Sequence, residues 1–118
     1  MNKSQRLRTP EEFRSVYKSK QFGVSELHSF NIRARDCGPS RLGVTVSKKV
    51  SKLAVQRNQI RRRIKEFYRL HQHQLVSADV VITAKANCSN ATAAEQWQSL
   101  QQLWEKLLKW QRWHQANH

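Results

Sequence analysis

Residues 53–73 constrain this chain more tightly than any other stretch. Leu53, Ile60, Ile64, Phe67 and, at the edge, Tyr68 recur on one side of a helical wheel, and an amphipathic helix of that length must bury its apolar side against another layer. Its other side must stay in water or meet a partner. With Arg57 set at 0° and ~3.6 residues per turn, Arg61 lies at about 40°, Lys65 at about 80°, Asn58 at about 100°, Arg69 at about 120° and Arg62 at about 140°. Ile60, Ile64 and Phe67 lie between about 280° and 340°. Five cations therefore share one arc with no carboxylate among them. Solvated helix faces normally mix signs, because like charges at i,i+4 each cost about 0.2–0.5 kcal/mol. This arc reads as a surface for a polyanion.

The buried side of that helix needs a sheet, and the flanking sequence supplies one. Residues 28–35 alternate around Phe30, Ile32 and Ala34 with a polar face of Asn31, Arg33 and Arg35; Cys37-Gly38-Pro39-Ser40 is a turn cluster. Leu42, Val44 and Val46 then alternate with Gly43, Thr45 and Ser47, a second strand that leads into Lys48, Lys49 and Lys52. The run 79–84 (Asp79, then Val80 to Ala84) is almost wholly apolar, the pattern of a central strand. Thr9-Pro10-Glu11-Glu12 opens a short helix to about Lys20 with Phe13, Val16 and Tyr17 on one face, and Thr92-Ala93-Ala94-Glu95 is a second capping box. The helix after it carries Trp97, Leu100, Leu103, Trp104, Leu107 and Leu108 at helical spacing; Trp110 and Trp113 are expected at the surface and the end from about Trp113 is expected to fray. The fold class is α+β: a single-domain α/β sandwich, order α-β-β-(β)-α-β-α, around one small sheet.

Charge names the class of partner. The 118 residues hold 22 Lys+Arg against 8 Asp+Glu, a formal +14. Residues 41–69 contain ten Lys or Arg and one acid, Glu66, so the excess is local. Nucleic acid is the expected partner, with a membrane surface as the rival. Arginine outnumbers lysine on the helix, which favours forked bonding to phosphate. Asn58 suits a base edge or a 2′-hydroxyl, and a local helix bond equally well. No apolar run reaches the ~18–20 residues of a membrane span, and no signal peptide is expected. Cys37 and Cys88 lack metal or redox spacing and read as cytosolic thiols.

Protein-borne catalysis finds little support. Nucleases need clustered carboxylates or a positioned acid–base pair, and Asp79 and Glu66 are the only acids in the middle of the chain. His71 and His73 stand at i,i+2, not the i,i+4 spacing of a helical zinc pair. On spacing alone Phe13 and Tyr17 favour a core role over stacking. A ribosomal or other structural RNA-binding protein is the chief rival reading, and a small protein-only nuclease the enzymatic one.

The segment 54–65, Ala-Val-Gln-Arg57-Asn58-Gln59-Ile-Arg61-Arg62-Arg63-Ile-Lys65, resembles the signature helix of the bacterial ribonuclease P protein family, its RNR motif. Residues 41–49 resemble the strand and basic turn before it, and Leu7, Thr9-Pro10, Phe13, Val16-Tyr17 and the late strand also fit. The third motif position, commonly Arg, is Gln59 here. The resemblance implies a subunit of a ribonucleoprotein endonuclease that removes the 5′ leader of precursor tRNA. In that family the RNA is the catalyst, using Mg2+, while the protein alone is non-catalytic, holds no metal or cofactor and broadens substrate range. Carried over, Lys48, Lys49, Lys52, Arg57, Asn58, Arg61, Arg62, Lys65 and Arg69 would face the catalytic RNA. Phe13 and Tyr17 would line a cleft for the leader with residues of the first long strand, Phe30 or its neighbours. A one-to-one complex, a cytoplasmic location and a left-handed βαβ crossover are likewise implied.

Overall fold

The computed structural model describes residues 5–117. A four-stranded sheet in the order β1-β2-β4-β3 is built from β1 (Phe22–Val24), β2 (His28–Ala34), β3 (Arg41–Thr45) and β4 (Ala78–Ala84). β4 is antiparallel to β2 and parallel to β3. The parallel pair requires a crossover, supplied by α2 (Ala54–His71). The run 79–84 therefore sits between two strands, and every residue of β4 except Thr83 is buried, as its near-continuous hydrophobicity dictates.

Helices cover both faces. Ile60, Ile64, Phe67 and Tyr68 of α2 pack with Leu100, Leu103, Trp104 and Leu107 of α3 (Ala93–Ala116) on Phe30, Ile32, Leu42, Val80 and Ile82. Burial of each such side chain is worth about 1.5–3 kcal/mol. On the opposite face α1 (Pro10–Lys18) sets Val16 and Phe13 against Leu7 and Val81. Both predicted capping boxes form: Thr9 with Glu12, and Thr92 with Glu95.

Three expectations need correction. Phe30 does not line the α1 face; it is 2% exposed in the core beneath α2 and α3. Alternation along β2 fixes which residues share a face, and the partners of Phe30 in that face are His28 and Ile32, not Asn31. The C-terminal helix does not end near Trp113 but continues to Ala116. Trp110 is half-buried, its indole Nε1 donating to Gln21 Oε1 at 2.6 Å. Trp113 is exposed as expected.

Candidate nucleic-acid interface

The sheet register determines what the α1 face offers. Phe22, Asn31, Val81 and Gly43 form one row across the four strands. The next row on the same face is Val24, Ser29, Thr83 and Thr45, and the row on the other side is Arg33, Asp79 and Arg41. Phe13 packs against Gly43, where a Cβ would stand 2.5 Å from its ring. Glu12, on the other flank of α1, accepts from Arg41 Nη1 at 2.7 Å. α1 thus lies over the first row, with its aromatic flank turned away from the Asp79 row.

Asp79 is the buried anchor of that third row. Its carboxylate takes Arg41 Nε and Nη2 at 2.8 Å each, Arg33 Nη2 at 3.2 Å and Arg35 Nε at 3.6 Å. A charge buried in this way requires paired donors. The hydrogen bonds to Asp79 raise Arg41 above the usual guanidinium range. The Glu12 carboxyl is held below its usual range by the backbone N–H groups of Thr9 and Arg8, with Arg41 alongside. These acids serve the fold and are engaged by its own arginines.

Around the β3 edge the cationic arc of α2 comes into view. Residues preceding α1 extend the sheet locally: Arg6 bridges to Leu42, and Leu7 N donates to Leu42 O at 3.0 Å. One groove of about 440 Å³ is lined by Arg6, Asn58, Arg61, Arg62, Lys65, Glu66 and Arg69. A second, of about 360 Å³, runs over Leu7, Arg8, Phe13, Gly43 and Val44. The two share Arg6, Arg61 and Lys65, so one basic channel leads from the arginine helix to the aromatic flank of α1.

Within this channel the predicted residues divide by role. Arg61, Arg62 and Lys65 have no acidic partner among the described residues. Arg61 also donates to Asn58 Oδ1 at 3.0 Å and to Val46 O at 3.2 Å. The arc is not free of carboxylate as its sequence suggested: Glu66, at about 180° on the wheel, accepts from Arg69 Nη2 at 2.6 Å and Nε at 3.0 Å. Arg57 stands outside the channel and donates to Ser51 O at 2.9 Å and Lys52 O at 3.0 Å. It clamps the β3–α2 connection from which Lys48, Lys49 and Lys52 project into solvent. Tyr17 is exposed on α1. Arg63, between the arc and the core, reaches Gln96 of α3 at 3.1 Å.

Sequence reasoning passed over Arg6 and Arg8, which only the pairing of their segment with β3 brings into the channel. It also passed over the Ser29–Thr83–Thr45 row, whose members lie on three strands. Cys37 and Cys88 are both free; Cys88 is buried, and burial pushes its thiol up to about 11. Among the described residues no group of three His, Cys, Asp or Glu side chains is placed to hold a metal ion.

A joined pair of grooves walled by arginine, on a protein whose one buried acid, Asp79, is tied up by its own arginines, defines an RNA-binding protein that works by charge and position. Residues 1–108 match the family model described as ribonuclease P. The ribonuclease P protein component of Idiomarina loihiensis is 39% identical over 105 residues, 88% of this chain and 84% of that protein. That of Vibrio cholerae is 36% identical over 106 residues, 90% of each. The Staphylococcus aureus RNase P protein superposes with a TM-score of 0.83 at 24% identity, covering 89% of this chain and 96% of that one. The Thermotoga maritima RNase P protein gives 0.73 at 23%, covering 83% and 93%. The chain belongs to the ribonuclease P protein family. It is a subunit of that tRNA-processing ribonucleoprotein, and its partner is the ribonuclease P RNA.

Proposed function

We propose that the α2 side of the channel receives phosphates of the catalytic RNA while the α1 side receives the single-stranded 5′ leader of precursor tRNA. Asn58, Arg61, Arg62 and Lys65, with Arg6, serve the first contact. Lys48, Lys49 and Lys52 extend it along the β3–α2 connection, and Arg57 acts by holding that connection in shape. Phe13 and Tyr17 wall the leader cleft, and its floor is the row Ser29, Thr83 and Thr45 in place of Phe30. The observation that carries this reading is the sharing of Arg6, Arg61 and Lys65 between the two grooves. A cation common to both lets two polyanions approach each other without mutual repulsion.

On this reading the RNA does the chemistry with Mg2+ that it holds itself, and the protein is non-catalytic alone, one copy per RNA, in the cytoplasm. Purified protein is expected to leave precursor tRNA intact and to raise cleavage by the catalytic RNA at low magnesium. Metal-dependent cutting by RNA-free protein would falsify it. Recovery of ribosomal RNA as the dominant co-purifying species would favour the rival structural role.

A further inference from the structure

The most exposed aromatic among the described residues is Phe22, 69% exposed on edge strand β1. Its position is fixed by its surroundings. Gly23, next along, lies against Phe30, where a Cβ would come within 2.5 Å of the ring; the inward position of β1 is therefore closed to side chains. Phe22 and Val24 point the other way, onto the face that carries α1, with Phe22 in register with Asn31 and in one row with Val81. β1 is tied down from several directions. Gln21 O accepts from Ile32 N at 3.0 Å, Gln21 Oε1 accepts from the Trp110 indole, and Val24 O accepts from Lys106 Nζ.

The turn that delivers β1 is itself strained. Lys20, a non-glycine residue, has φ of 58°, a left-handed conformation that persists only where the surroundings impose it. An edge strand could satisfy folding with a polar residue at this site, because the Phe22 ring buries little. Tyr17, 41% exposed, stands five residues earlier on α1, and Lys18 and Lys20 lie between the two aromatics. The Asn31 amide and the hydroxyls of Ser29, Thr83 and Thr45 form no hydrogen bond with the described residues. Rigid aromatics beside open hydrogen-bonding groups and cations are the elements of a track for single-stranded nucleic acid.

We propose that Phe22 is a stacking platform for a leader base at the open, β1 end of the cleft, three strand spacings (about 14 Å) from β3. The inference rests on the leader-cleft reading and extends it to an outer base. It makes the protein sensitive to leader length: a strand long enough to reach β1 gains a contact that a shorter one lacks.

The test uses the holoenzyme reconstituted from full-length protein and catalytic RNA, with precursor tRNAs whose leaders are lengthened one nucleotide at a time. Phe22→Ala is expected to weaken binding of long-leader substrates about 5- to 20-fold, within the range for loss of one stacked base, and to leave the shortest leaders unaffected. Phe22→Trp restores the affinity and Phe22→Leu does not. A 2-aminopurine moved along the leader should be quenched by the parent protein at one outer position, and that quenching should vanish in Phe22→Ala. If Phe22→Ala binds every leader like the parent while Tyr17→Ala loses affinity, the platform is refuted and the cleft stands. If neither variant changes leader binding, the cleft reading fails and the platform with it. Unaltered circular dichroism confirms that the exposed ring was removed without unfolding the chain.

Discussion

Arg41 grips Asp79 with two parallel hydrogen bonds, Nε to Oδ1 and Nη2 to Oδ2, both 2.8 Å, and uses its remaining Nη1 to hold Glu12 of α1. One guanidinium therefore joins β3, β4 and α1. Neutralising the buried carboxylate leaves Arg33, Arg35 and Arg41 crowded without a counter-charge. Asp79→Asn is expected to lower unfolding stability by about 3 kcal/mol, the cost of breaking a buried ion pair, measured by urea titration. Arg41→Lys keeps the charge and loses the fork. It should speed amide exchange in α1 more than in α3.

A second expectation concerns acid. His28 is wholly buried, its Nδ1 2.9 Å from Ser99 Oγ and its Nε2 3.8 Å from Cys88 Sγ. Burial, with Lys85 nearby, lowers its pKa from 6.5 to about 4. Above pH 6.5 both folded and unfolded chains carry it neutral. As pH falls from 6.5 towards 4, only the unfolded chain takes up the proton, so stability declines by up to about 3 kcal/mol and then levels off. The lowered carboxyls of Glu12, Glu66 and Glu95 act below 4.5, which leaves the window between 4.5 and 6.5 to report on His28. Stability measured across it should slope in the parent and flatten in His28→Asn.

The local parts of this fold were legible because their causes are local. Thr9 with Glu12 and Thr92 with Glu95 act over three residues, and the apolar run 79–84 carries its own burial. What escaped depended on pairing across the chain. Strand alternation groups Phe30 with Ile32 but does not say which face meets α1, so alternation alone leaves the layer of Phe30 open. β1 has three residues and no periodicity to detect. Asp79 reads in the sequence only as the polar first residue of the run 79–84, because Arg33, Arg35 and Arg41 reach it only once β2, β3 and β4 align. The cationic arc was visible on a wheel, but a wheel does not show that Arg57 turns back to the carbonyls of Ser51 and Lys52 or that Glu66 folds onto Arg69.

That division among the arginines is measurable. Each phosphate contact contributes roughly −0.7 to −0.9 to the slope of log K against log salt, so about five contacts give a slope near −4. Arg62→Ala and Lys65→Ala should each make the slope shallower by roughly 1 with little loss of stability. Arg57→Ala should instead cost about 1 kcal/mol of stability by releasing two carbonyls. Its effect on RNA affinity should arise through a loosened Lys48–Lys52 connection. An Arg57→Ala protein with parental stability and a shallower slope would return that residue to the phosphate-binding set.

Gly43 tests the link between packing and leader binding. Its α-carbon is the floor on which Phe13 lies, and a Cβ there would stand 2.5 and 2.6 Å from two ring atoms and 3.2 Å from Leu7 Cδ1. β3 is held on one side by β4 and on the other by the Leu7 amide, so the ring must move instead of the strand. Overpacking of this kind costs about 1–3 kcal/mol. Gly43→Ala is therefore expected to lower the unfolding midpoint and tilt Phe13 out of the channel, which weakens binding of precursor tRNA more than binding of mature tRNA. Pairing Gly43→Ala with Phe13→Leu, which removes the rigid ring, should recover much of the stability. It should not recover leader affinity, because the aromatic wall is then gone.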